Sequence, residues 1–157
     1  MAVAQIQIQI QYLLDRTAIT DTIVGAANAF DTQDWDRLRG FLADELRTDY
    51  SDFRGEAPSS VSADAYVEAR RNGLRGLKTL HISTNHQIEI DGDRVRCRSA
   101  YRIYRVDPAR AQGENRLDTA GHYEHDLVRA APGWRICGIK QTVVLREGAS
   151  EVHGAFR

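Results

Sequence analysis

The stretch FDTQDWDRLRGFLADELRTDYSDF, residues 30–53, decides how the chain is read. Asp31 stands where a first helix should end. Trp35, Leu38 and Phe41 then recur at helical spacing and define a short second helix. Leu46 to Tyr50 reads as a short strand. This helix–helix–strand unit is expected to bring Asp31 and Tyr50 to the mouth of one cavity. His81, from a later strand, would complete a small acid–base site.

Upstream, residues 5–10 alternate Gln and Ile, a strand-like pattern. It runs straight into Tyr12, Leu13, Leu14, Ile19, Ile23 and Val24, which step at helical spacing. The alternation is taken as an exposed arm or a frayed helix entry, able to pair with a partner subunit. A helix over residues 12–30 would bury Leu13, Leu14, Ile19, Ile23, Ala26, Ala27 and Phe30 along one stripe. Asp31-Thr32 offers side-chain acceptors that can break this helix and cap the next.

Downstream, residues 54–60 form a loop with Gly55 and Pro58. Ser62 caps a third helix carrying Ala65, Tyr66, Ala69 and Leu74, and Gly73 or Gly76 ends it. The period then changes. Strands are expected at 79–90, 95–106, 117–128 and 134–145, with Asp91-Gly92 and Pro132-Gly133 as turns and a polar loop at 107–115. Helices followed by a strand meander mean an α+β domain spanning 1–157, with its core at 12–146, an arm at 1–11 and a tail at 147–157. Helices packed on a strongly curved antiparallel sheet leave a conical cavity, a natural ligand site.

Composition narrows the function. A chain of 157 residues, 42% hydrophobic and 27% charged, carries one globular core. A net charge of -1 gives no basic field for nucleic acid. Cys97 and Cys137 stand alone in strand-like runs and read as small buried apolar residues in a reducing compartment. No apolar run reaches the roughly 20 residues that span a bilayer, and the N-terminus lacks a basic region followed by an apolar core. A soluble cytoplasmic protein without membrane contact is expected. No metal-ligand spacing and no phosphate-cradling Gly-rich loop is present, so neither metal nor cofactor is expected.

Candidate site residues each have a plainer alternative. His81 titrates near neutral pH and can accept and return a proton, or it is a satisfied structural histidine. Asp31 can orient it, or merely cap a helix end. Tyr50 can donate its phenol to a carbonyl, or pack as a core tyrosine. His86, at odd spacing from His81, should face the other way, and His153 should be exposed in the tail. On 117–128, His122, Glu124 and Asp126 share one face, and Tyr123, His125 and Leu127 the other.

The motifs FDTQDWDRLR (30–39), LRTDYSDF (46–53), KTLHIS (78–83), GHYEHDL (121–127) and GWRICGIK (133–140) resemble the nuclear-transport-factor-2-like superfamily in its SnoaL-like branch. Within it they are most similar to the scytalone dehydratase family. The resemblance implies a conical, cystatin-like fold and a dimer or trimer. It implies a cofactor-independent dehydratase acting on a small hydroxylated cyclic ketone. His81 would be general base and then acid, Asp31 would orient it and Tyr50 would polarise the carbonyl. Phe30, Phe53, Tyr66, Ser99, Tyr101, His122 and Glu124 would bind a small hydrophobic or aromatic substrate. Phe30 replaces a family tyrosine, Ser99 stands on the strand of a second family histidine, and the C-terminal lid is shortened. A polyketide cyclase, a ketosteroid-isomerase-type enzyme and a non-catalytic small-molecule-binding module remain as alternatives on the same fold.

Overall fold

A computed structural model describes residues 2–154. Helix α1, Ala2–Thr32, buries Asp15, Ile19, Thr22, Ile23, Ala26 and Ala29, which fall on one core-facing stripe. The expected stripe began too early. Leu13 and Leu14 are 62% and 58% exposed, because the first turns of α1 run past the layers that could bury them. The alternating residues 5–10 are helical as well, and Ile6, Ile8 and Ile10 are exposed.

Gln33 adopts a left-handed φ of 54° and stops α1. Helix α2, Trp35–Gly40, is then capped by Asp34, whose carboxylate accepts from the Arg37 backbone N–H at 3.1 Å. The cap expected from Asp31 is thus supplied by Asp34, and Asp31 is available for another partner.

Strand β1, Leu42–Asp49, begins four residues earlier than the alternation implied. Helix α3, Ser51–Arg54, is a single turn; β2, Ser59–Ser62, leads into α4, Ala63–Gly73, capped by Ser62 as expected. Four long strands follow: β3 Lys78–Asp91, β4 Arg94–Val106, β5 Arg116–Arg129 and β6 Trp134–Gly148. The sheet order is β2-β1-β6-β5-β4-β3. Strands β3 to β6 form the expected antiparallel meander, but β1 pairs with β6 in parallel. The six-stranded sheet is therefore mixed rather than wholly antiparallel. Strand order along the chain reveals the meander and says nothing about the direction in which β1 joins its far edge.

Register shifts bend this sheet. One lies in β3 between Thr84 and Gln87, where Asn85 takes a φ of 57°. Two lie between β5 and β6, at Ala120/Gly121 and Asp126/Leu127. The main core, including Ile19, Leu38, Leu46, Trp134 and Ile136, fills the space between α1, α2 and the sheet. Asp15 ties α1 to it: its carboxylate accepts from both Arg129 nitrogens at 3.0 and 2.9 Å and from the buried Trp134 indole at 3.3 Å.

Residues 149–154 of the expected tail pack onto the fold, and residues 155–157 lie outside the described residues. A 3-10 turn at Ser150–Val152 buries Val152 completely against Leu74, Leu77 and Leu117. His153 follows it inside at 7% exposure, which corrects the expectation of an exposed tail histidine. Cys97 is buried as expected, whereas Cys137 is only half-buried. Among the described residues no helix is long and apolar enough to cross a membrane.

Gly121 sits where a Cβ would overlap the Thr142 carbonyl oxygen of β6. Gly121→Ala must push two paired backbones apart, so it should destabilise the fold by about 1–3 kcal/mol. Urea melts of both proteins test this, and an unchanged midpoint would show that the shift there is not sterically required.

Candidate active site

A cavity lies between the helices and the sheet and is partly open to solvent. Its walls are mostly apolar and aromatic, with Phe30, Phe53, Tyr66, Tyr101 and Ile103 among them. His81 and Tyr50 both line it.

Asp31 and His81 meet because of two local events. The left-handed Gln33 ends α1 one turn beyond Phe30, so Asp31 keeps its place on the helix facing β3. On β3, Thr79, His81 and Ser83 alternate inward, as a period of two requires. The Asp31 carboxylate then gathers three donors. Its Oδ2 accepts from the His81 backbone N–H at 2.7 Å, and its Oδ1 accepts from the Thr79 hydroxyl at 2.8 Å and meets His81 Nδ1 at 2.5 Å. Both side chains are well covered, at 15% and 13% exposure.

The electrostatics fix the protonation. Burial pushes the Asp31 carboxyl up, but hydrogen bonds and charge from His81, with help from Thr79, outweigh it and hold it below its ordinary value. Burial pulls the His81 imidazole below 6.5; Asp31 opposes this and the charge of Arg105 adds to it. Around neutral pH the site is an ionised Asp31 beside a neutral His81. An ionised carboxylate only accepts, so the ring proton resides on Nδ1. Nε2 is left with a bare lone pair. Phe30 stacks on the imidazole at 5.3 Å between ring centres and 25° between planes, which holds the ring flat against the wall.

Tyr50 follows β1 directly and precedes α3, and its hydroxyl is 2.8 Å from that of Tyr66 on α4. Burial raises the Tyr50 phenol well above 10, so it stays protonated and can donate. Phe53, Tyr66 and Tyr101 also line the cavity. Ser99 does not: it points inward from β4 but is buried at 1% exposure behind the wall.

His122 and Glu124 are on the other side of the sheet. Leu117, Thr119, Gly121, Tyr123, His125 and Leu127 alternate inward without interruption along β5, so the even-numbered residues face out. Glu124 meets Lys140 at 4.0 Å there. Tyr123 and His125 line the cavity instead. The buried leucines at 117 and 127 carried the signal for this phase. His86 also departs from expectation. The extra residue at Asn85 flips the phase of β3, so His86 shares the inner side with Ser83, whose Oγ is 2.9 Å from its Nε2. Spacing alone does not reveal a bulge. Arg54, Arg70, Arg105, Gln141 and His153 also line the cavity, and sequence reasoning missed all five. For Arg105 a charged residue at an inward position of β4 was the only available signal, and Arg54 and Arg70, on the helices α3 and α4, carried none.

The sequence pattern of the SnoaL-like domain family matches residues 11–140. The chain belongs to the SnoaL-like domain family. Its cavity-forming helices and curved sheet are the cystatin-like fold of nuclear-transport-factor-2-like proteins. A curated relative, dehydratase GME11372 of Pestalotiopsis microspora, is 46% identical over 60 residues, covering 36% of this chain and 38% of that protein. The chain therefore matches well under half the length of that relative. The crystal structure of the Kfla4162 protein of Kribbella flavida superposes with a TM-score of 0.85 at 28% identity, covering 93% of this chain and 99% of the other. A protein assigned as a candidate scytalone dehydratase from Novosphingobium aromaticivorans superposes at 0.77 with 13% identity, over 88% of this chain and 90% of that one, a likeness of fold.

Four buried or half-buried histidines are held below their ordinary value: His81, His86, His125 at about 4 and His153 at about 3, burial being the main cause for each. The unfolded chain binds these protons more readily, so stability rises with pH across this range. Thermal melts should drop as pH falls through about 6.5 toward 4, starting before carboxylates protonate. A melting temperature that is flat between pH 7.5 and 5.5 would contradict the neutral, buried histidines.

Proposed function

We propose that this SnoaL-like protein is a cofactor-independent dehydratase that eliminates water from a small hydroxylated cyclic ketone. The observation that carries the proposal is the Asp31–His81 pair, with Nδ1 engaged by the carboxylate at 2.5 Å and the imidazole in the cavity wall. The dehydratase name of the Pestalotiopsis relative supports it.

In the proposed reaction, Nε2 of His81 takes the proton next to the substrate carbonyl. The C–H electron pair moves toward the carbonyl oxygen, and the protonated Tyr50 phenol donates to that oxygen as negative charge grows. Asp31 stabilises the imidazolium and keeps its ring from turning. The enolate then re-forms the carbonyl, a carbon–carbon double bond forms, and the carbon–hydroxyl bond breaks. The imidazolium returns its proton to the departing hydroxyl, and water leaves. One proton cycles through one nitrogen, so the centre is restored after each turnover.

A depressed His81 leaves the ring neutral, and therefore able to accept a proton, at and above neutral pH. The rate should be flat there and fall on acidification, with its acid limb below about 6.5. His81→Ala should lower kcat by roughly 10³-fold or more while the fold is kept. Asp31→Ala should cost about as much, and Tyr50→Phe about 10²-fold. Product mass is the decisive readout: elimination lowers the mass by one water, while cyclisation or double-bond migration does not. A His81→Ala protein with undiminished turnover, or a product of unchanged mass, would overturn the proposal.

A further inference from the structure

The same cavity is lined by three guanidinium groups, those of Arg54, Arg70 and Arg105, which the elimination chemistry does not use. Arg105, on β4, is only 3% exposed. One of its terminal nitrogens donates to the Thr119 hydroxyl at 3.0 Å, while its buried Nε has no partner. Its guanidinium lies over the Phe53 ring, 5.5 Å from the centre. Arg54 has a side chain 15% exposed, a buried Nε without a partner, and one carboxylate at a distant 3.9 Å, that of the solvent-facing Glu56. Arg70 lies over the rings of Tyr50 and Tyr66 at 4.6 and 4.5 Å.

Among the described residues, neither Arg70 nor Arg105 has a carboxylate at ion-pair distance. Arginine does not shed its proton, so these charges stay. Buried cations without a counter-charge are costly; for Arg70 the phenols of Tyr66 and Tyr50 outweigh burial and hold it above its ordinary value, whereas for Arg105 and Arg54 burial prevails. The phenols of Tyr50, Tyr101 and Tyr123 are all pushed up by burial, so they supply no negative charge at neutral pH. Burial and mutual repulsion hold Arg105 down to about 10 and Arg54 below its ordinary value. A cavity with a net positive wall and a flat aromatic surface at Phe53 matches one ligand chemistry, a ring that carries an acidic group.

We propose that Arg54, Arg70 and Arg105 form an anion subsite, and that the substrate of the Asp31–His81 centre is a cyclic ketone bearing a carboxylate. As a statement about turnover this rests on the elimination reading; as a statement about binding it does not. The guanidinium forks match a carboxylate in the plane of its two oxygens. The charge of Arg105 also reaches His81 and lowers its basicity. A bound carboxylate neutralises that charge, so the base strengthens when the acidic substrate is in place.

Calorimetric titration with 2-naphthoate, its neutral isostere 2-naphthamide, and inorganic phosphate tests the subsite. The proteins are wild type, His81→Ala, Arg105→Met and Arg70→Met. Wild type and His81→Ala should both bind naphthoate at least about tenfold more tightly than naphthamide or phosphate. Arg105→Met should lose at least about tenfold for naphthoate and little for naphthamide. Its melting temperature in the absence of ligand should match or exceed that of wild type, because an uncompensated buried charge has been removed. Arg70→Met gives an independent reading should Arg105→Met fold poorly. Equal binding of the two naphthalenes, no binding of either, phosphate binding as tight as naphthoate, or arginine variants that keep wild-type naphthoate affinity would each overturn the subsite. If naphthoate binds as expected but no hydroxyketone loses water, the elimination reading falls and the subsite stands. If neutral hydroxyketones are dehydrated without any preference for the acid, the reverse holds.

Discussion

One carboxylate joins the end of α1 to β3 and holds the histidine at the cavity wall. Asp31 receives a backbone N–H, a threonine hydroxyl and an imidazole nitrogen, all from β3, at 2.5 to 2.8 Å. These bonds fasten the C-terminal end of α1 to the edge strand of the sheet. They also turn a buried charge, which alone would be costly, into a satisfied one. The His81 ring is fixed at the same time, since the carboxylate dictates its tautomer and Phe30 its plane. Scaffold and chemistry therefore share a single anchor. The Asp34 cap is part of this arrangement, because it spares Asp31 from capping α2.

Much of the fold was legible because its signals are local. Turn residues at 91–92 and 132–133, the period-two runs and the Ser62 cap all depend on neighbours in the chain. The parallel β1–β6 pairing is not local, and no property of Leu42–Asp49 announces it. The start of the buried stripe on α1 is hidden for a related reason. Leu13 and Leu14 have the right spacing, but burial also needs a surface to pack against.

The site was half legible. Asp31, Tyr50, Phe30, Phe53, Tyr66, Tyr101 and His81 stand at the cavity or touch it, as motif and resemblance implied. On β5 the resemblance points to His122 and Glu124, one residue out of phase with the chain's own alternation. A slip of one residue in a strand exchanges the two faces completely. On β3, the bulge at Asn85 turned His86 inward, contrary to simple counting. The arginine lining is not legible because a charged side chain, on a helix as for Arg54 and Arg70 or on a strand as for Arg105, ordinarily points to water.

The central claim is that Asp31 holds a neutral His81 with its proton on Nδ1 and a bare Nε2 facing the cavity. Nitrogen-15 NMR of the histidine rings at pH 7, with His81 assigned by comparison with a His81→Gln protein, measures this directly. A protonated, pyrrole-like Nδ1 and an unprotonated, pyridine-like Nε2 are the expected result. A proton found on Nε2 would contradict the account.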